Sequence, residues 1–452
     1  MLIRHVEVGG ALVDVRIRDG LIAEISGQLA AIDGEPILEG QGGALLPGLH
    51  DHHIHLNATA AALNSVRCGP PEVQNEEQFL AALNRHPGMD WLRGIGYHPS
   101  VAGNIDRNWL DQHGPDRPIR IQHRSGRQWI LNSAALALLN LENLSDGRLL
   151  DGDAIVRKAL GGQRPDLKPL IRKLHSYGIT GVTEVTPGNN LDDLDHYCRT
   201  ARPLNLCIMG SADLHSVSGA NADVVGPLKI HNHDHNLPPL AALAQEIGAA
   251  HNHDRAVAIH CVTRAELMLS LAAIEEAGPH SGDRIEHGAI VDAAAIEWIE
   301  RLGLTVVTQP HFVAERGDAY LREVEADDIP HLWRLKSLSD AGIKLAAGSD
   351  APFGNFNPWS AMAHAAKRPV GLGEEEAVSP DLALALYTKP VENAGGEVRT
   401  VAVGEGADLC LLDRTWPAAS DDLAAVKVNA TWVSGKLVYD RISSINPHSS
   451  AV

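Results

Sequence analysis

Five short apolar runs in this chain each end in side chains that can bind a metal ion or move a proton. Residues 45–56 (LLPGLHDHHIHL) carry His53 and His55, GPLKI (226–230) carries Lys229, AVAIHC (256–261) His260, RIEHG (284–288) His287, and LAAGSDAP (345–352) Asp350. Each run has the length and composition of a buried strand. Three more strands read at ITGVTEV (179–185), LNLCIMG (204–210) and LTVVTQP (304–310), which with a first strand at 45–55 makes eight. Helical patterns such as PLAALAQEIGAAH, TRAELMLSLAAIEEAG, DAAAIEWIERLG and IPHLWRLKSLSDAG separate them. Parallel strands need such crossovers, and a strand–helix alternation of this length predicts an α/β barrel.

Alternate side chains of a strand share a face, so His53 and His55 point the same way, with Asp51 two residues earlier available as an outer carboxylate. Spacing alone fits a His-rich surface loop equally well. What decides is the company of four other strand-end groups, because barrel sites form where strands reach their carboxyl ends.

These motifs, in this order, resemble the amidohydrolase superfamily, in particular the family 3 branch that includes N-substituted formamide deformylase. The resemblance implies a distorted TIM (β/α)8 barrel with a small β-sandwich built from both chain ends, and a metal-dependent hydrolase. On that reading His53, His55 and Asp350 hold one divalent ion, and His260 and His287 hold a second or steer the first. Zinc is the first choice, with iron, manganese, cobalt and nickel open. Lys229 matches the family lysine that can react with carbon dioxide to become a carbamate bridging two metals, the alternatives being an unmodified lysine over a single-metal site and a solvated strand-end lysine. Asp350 is the expected proton shuttle, with His260 or His287 polarising a carbonyl oxygen. The run IQHRSGRQWILNSAAL, with His123 and Arg127, resembles the family's substrate loop, although Arg127 stands where a His is common. Gln309 and His311 follow the seventh strand and are weaker pocket candidates. His231, His233 and His235 read as a polar loop over the barrel mouth, Glu184 as a group that orients Lys229 or caps the next segment, and Trp91, Trp109, Trp129 and Trp333 as core.

The ends differ from the middle. ALVDVRIRDGLIAEI (11–25), ADLCLLD (407–413) and KVNATWVSGKLVYD (427–440) alternate like half-buried hairpins. The expected division is 1–44 and 396–452 as the two parts of the sandwich and 45–395 as the barrel, with 57–165 inserted after the first strand. A formal charge of −19 argues against nucleic acid or an anionic membrane as partner. Five scattered cysteines without a CxxC pair, and an N-terminus without a leader pattern, point to a cytoplasmic protein. The expected partner is a small molecule, and self-association into a homo-oligomer is anticipated. The expected reaction is hydrolysis of a non-peptide carbon–nitrogen bond in an amide, formamide or carbamate. Ester or lactone hydrolysis, decarboxylation or isomerisation on the same scaffold are the alternatives, and a non-catalytic relative is the remaining one.

Overall fold

Eight parallel strands form one sheet in the computed structural model, which describes residues 1–441 apart from 71, 86–90, 153–154, 157, 159–163 and 233. The strands are Leu49–Ile54, Ile179–Glu184, Asn205–Gly210, Val225–Ile230, Val257–Cys261, Arg284–His287, Thr305–Thr308 and Lys344–Ala347, and they neighbour one another in chain order. Helices Leu240–His251, Arg264–Ala277 and Ala293–Arg301 supply crossovers at the expected places. Thr263 starts the second with a capping box to Glu266, and Asp292 caps the third. The run 329–342 is not one helix: a 3-10 turn at Ile329–His331 is followed by Trp333 at φ 51° and only then by Leu335–Asp340. A left-handed residue breaks the helical ladder there.

The sheet closes where its first and eighth strands meet. Asp350 N–H donates to the His53 carbonyl at 2.7 Å, and His55 N–H donates to the Ala351 carbonyl at 2.9 Å. The buried Asp51 carboxylate bridges the same seam, accepting from Ser349 N–H (2.9 Å) and His53 N–H (3.1 Å). Such close approach needs a residue without a side chain. A Cβ on Gly348 would lie 2.3 Å from His53 N and 2.8 Å from its Cα.

Two further sheets come from the chain ends. One runs Leu21–Ser26, Ala11–Arg18, Leu2–Val8, Ile37–Glu39; the other runs Lys436–Asp440, Val428–Val433, Leu409–Leu412, Leu45–Pro47. Ile3, Val15, Ile17 and Ile22 of the first share one core with Leu45, Leu409, Leu411 and Trp432 of the second. The apolar faces predicted from alternation thus cover each other. The single strand expected over 45–55 is in fact two. Leu45–Pro47 pairs antiparallel with Leu409–Leu411 in the sandwich, and only after Gly48 does the chain enter the barrel.

Residues Asn57–Leu167 form a separate compact unit, the rest of the chain forming the other. Its five-stranded sheet is ordered Arg148–Leu150, Gln128–Leu131, Ile119–His123, Leu92–Tyr97, Val66–Arg67. It has its own cores, one around Phe79, Leu110 and Ile121 and one around Trp129, Leu131 and Leu136. Trp129 and Trp333 are buried, and Trp91 and Trp109 pack partly buried against core residues. Among the described residues no helix is long and apolar enough to cross a membrane.

The seam generates a stability prediction. Gly348→Ala should cost about 1–3 kcal/mol through overpacking. Gly248→Ala, in an open helical position with nothing within 4 Å of the new methyl, should instead gain about 0.5–1 kcal/mol. Urea unfolding midpoints of the two variants check this, and equal midpoints would refute the tight seam.

Candidate metal centre

The seam that closes the barrel also assembles three donor atoms. His53 Nε2 and His55 Nε2 each lie 3.4 Å from Asp350 Oδ1. One ligand atom from each of the three residues falls within 4.8 Å of the others. Each imidazole is held at its far side, His53 by a hydrogen bond from Nδ1 to Glu286 Oε2 and His55 by Thr186 Oγ1 at 3.0 Å from Nδ1. A ring whose Nδ1 carries the proton presents the Nε2 lone pair, the arrangement that metal-binding histidines use. Two imidazoles and a carboxylate suit a divalent first-row ion.

The remaining predicted ligands line the same end of the barrel. Ring centroids step from His53 to His287 (4.7 Å), from His287 to His260 (4.6 Å) and from His260 to His231 (4.0 Å). His287 Nδ1 meets Gln309 Oε1 at 2.7 Å. Lys229 is buried, its Nζ without a hydrogen-bond partner and 3.9 Å from Glu286 Oε2. His287 at φ 70° and Asp350 at φ 52° are both in the left-handed region. That costs about 1–3 kcal/mol each, a strain characteristic of functional positions.

Burial and charge set the protonation states. Burial pushes the Asp350 carboxyl up, but the hydrogen-bonded His53 and His55 outweigh it and hold Asp350 well below the usual carboxylate range. Glu286 behaves alike, burial being overcome by Arg284, Lys229 and His53. Burial lowers His53, yet Glu286 and Asp350 leave it above the ordinary imidazole value. Burial, with His53 nearby, drops His287 to about 3, and burial with His287 and His231 lowers His260 further. For Lys229, burial prevails over the neighbouring Glu286 carboxylate and brings the amine down to about 8. Asp51 is raised to about 6 by burial.

The other candidates separate by surroundings. Gln309 is buried and engaged with His287, and His311 is buried against Phe312 with ring centroids 4.9 Å apart. His123 and Arg127 belong to the inserted unit. There His123 Nδ1 meets Ser125 Oγ at 2.9 Å, and the Arg127 guanidinium forms an ion pair with Asp151. His231 and His235 are exposed, and His233 lies outside the described residues. Glu184 caps: it accepts from Leu56 N–H and from Thr186 N–H at 2.9 Å. Two residues escaped sequence reading. Glu286 stood inside a recognised motif, and Phe353, 44% exposed, presents its ring edge-on to His55 at 5.7 Å. Alternation within RIEH gave a faint signal for Glu286, two residues from Arg284 on the same strand face.

Comparison with known proteins agrees with this geometry. The amidohydrolase family model matches residues 40–439. N-substituted formamide deformylase of Arthrobacter pascens is 26% identical, with 94% of this chain and 93% of the relative covered. A solved, uncharacterized metal-dependent hydrolase from Pyrococcus furiosus has a TM-score of 0.72 at 21% identity, covering 91% of this chain and 98% of that one. N-isopropylammelide isopropylaminohydrolase from Burkholderia multivorans has a TM-score of 0.52 at 18% identity, with 97% of each chain covered. The two structures show the shared fold. From the family match over most of its length, and the barrel and strand-end histidines that accompany it, the chain belongs to the amidohydrolase family and is an enzyme, a hydrolase.

Proposed function

We propose that this enzyme hydrolyses a carbon–nitrogen bond outside peptides, in a small molecule such as an amide, formamide or carbamate, with ion-assisted addition of water and Asp350 as proton shuttle. The observation that carries the reading is the convergence of His53 Nε2 and His55 Nε2 on Asp350 Oδ1. These three side chains would hold a divalent ion, zinc first, with His260 and His287 holding a second or steering the first. When bound, the ion supplies a Lewis acid and makes water acidic enough to lose a proton at about pH 7. The named relatives support the bond type, being a formamide deformylase and an isopropylaminohydrolase.

Asp350 is kept ionised and aimed by its left-handed backbone, so it can accept the proton released as water adds to the carbonyl carbon. The same proton then passes to the departing nitrogen as the carbon–nitrogen bond breaks. Gln309 Oε1 claims the Nδ1 proton of His287, so His287 offers a lone pair at Nε2 and serves as a ligand. His260, neutral and uncommitted to such a partner, is the better donor to a carbonyl oxygen. Lys229 is the proposed carboxylation site. Its buried Nζ, which makes no hydrogen bond and has a value near 8, leaves enough free amine to add carbon dioxide, losing one proton and gaining a carbamate.

Three measurements test this reading. Purified protein should carry one or two divalent first-row ions per chain, and prolonged chelation should abolish hydrolysis across a panel of amides, formamides, carbamates, ureas and lactones. Absence of a stoichiometric ion, with activity untouched by chelation, would sink it. Asp350→Asn should lower kcat by about two to four orders of magnitude, the size of a general-base contribution, with a smaller loss of metal. Near-normal turnover at full occupancy would remove Asp350 from the proton path. Carbon-labelled bicarbonate should give a carbamate resonance that Lys229→Arg eliminates, and its absence in the parent would leave Lys229 an unmodified amine.

A further inference from the structure

The barrel interior holds a carboxylate to which the reaction just described gives no part. Glu286 is fully buried on the sixth strand. Its Oε2 accepts from His53 Nδ1, and its Oε1 accepts from Arg284 Nε. Arg284 in turn donates from Nη2 to the carbonyl of His52 at 3.1 Å. The pair therefore grips the first strand twice, at the backbone of residue 52 and at the ring of residue 53. The first and sixth strands are not neighbours in the sheet, so no backbone ladder joins them directly. Side chains crossing the interior make that connection.

We propose that Glu286, held by Arg284, is a positioning residue that fixes the ring and the tautomer of His53, and so delivers Nε2 to the divalent ion. The inference rests on the ligand set proposed above. A neutral imidazole has one N–H, and a carboxylate, which can only accept, forces that N–H to Nδ1. Nε2 then keeps its lone pair toward Asp350, with its basicity raised by the anionic partner. A neutral amide at position 286 would lack this discrimination, because it can turn its NH2 toward Nδ1 and send the ring proton to Nε2. Glu286 itself is no substitute base: one oxygen is taken by His53 and the other by Arg284. The guanidinium is what makes the buried carboxylate tolerable, since an unpaired charge there would be costly.

The test is zinc affinity, read by competition with a chromophoric chelator at fixed pH. Glu286→Gln should bind zinc about 10–100-fold more weakly than the parent, the usual effect of losing a partner behind a ligand. Glu376→Gln is the control, removing another buried carboxylate, one that accepts from Arg334 Nε (3.2 Å) and Ser337 N–H (2.8 Å). It should leave zinc affinity unchanged even where it lowers stability. If Glu286→Gln does not fold, the paired variant Arg284→Met/Glu286→Leu removes both buried charges, a change proteins often tolerate, and should show the same weakening. In nitrogen-labelled metal-free protein, held at a pH high enough for the His53 ring to have lost its second proton, the remaining proton should sit on Nδ1 in the parent and lose that preference in the variant. Parent-like zinc affinity in either Glu286 variant overturns the proposal. A parent that binds no zinc overturns the ligand set and this inference together, whereas a zinc-binding parent with an indifferent Glu286 overturns the inference alone.

Discussion

The hydrogen bond from Asp350 N–H to the His53 carbonyl is the contact on which the rest of the molecule turns. It joins the last barrel strand to the first, and the two residues that share it are also candidate ligands. Closing the sheet and assembling the site are therefore one event. Asp51 reinforces the seam by accepting hydrogen bonds from the backbone N–H groups of His53 and Ser349, and Gly348 permits it by presenting no side chain where His53 passes. Parallel strands at opposite ends of a chain have a high entropic barrier to meeting, so the contacts that reward the meeting need to be concentrated there.

Polar groups in the barrel interior follow from the same economy. An isolated buried ion is strongly disfavoured, and here the charges come in compensating sets. Glu286 faces Arg284, Lys229 and His53, and Asp350 faces His53 and His55. Each carboxylate is held ionised by its neighbours, while His260 and His287 are held neutral by burial among other cationic groups. Anions and lone pairs are the two things a divalent cation needs. The surrounding strand faces carry Ile, Leu and Val, so the low dielectric that penalises a lone charge also strengthens the paired ones.

Around this centre the chain ends act as structural support. The sandwich core brings residues near both termini together, and Gly48 marks where the chain leaves that sheet and enters the barrel. The inserted unit, with its own sheet and cores, is built as a domain is built. Loops and insertions are where such scaffolds vary their substrates.

Elements that local physics controls were legible in the chain alone. Apolar runs of four to eight residues with polar ends read as strands, and all eight occur within a few residues of where they were expected, because a buried parallel strand needs that composition. The chain also offered His53, His55, Lys229, His260, His287 and Asp350, since a polar group at the end of an apolar run is conspicuous in one dimension. Tertiary structure decided what a one-dimensional pattern cannot carry. The split of 45–55 into two strands follows from pairing with Leu409–Leu411, more than 350 residues away. Gln309 facing His287 and Thr186 facing His55 follow from side chains meeting across the barrel mouth. Glu286 was hidden because its partner His53 is 233 positions distant and on a strand that is not its neighbour, so neither spacing nor periodicity could join them. Which nitrogen of each imidazole is free is likewise set only when the fold supplies a partner for the other.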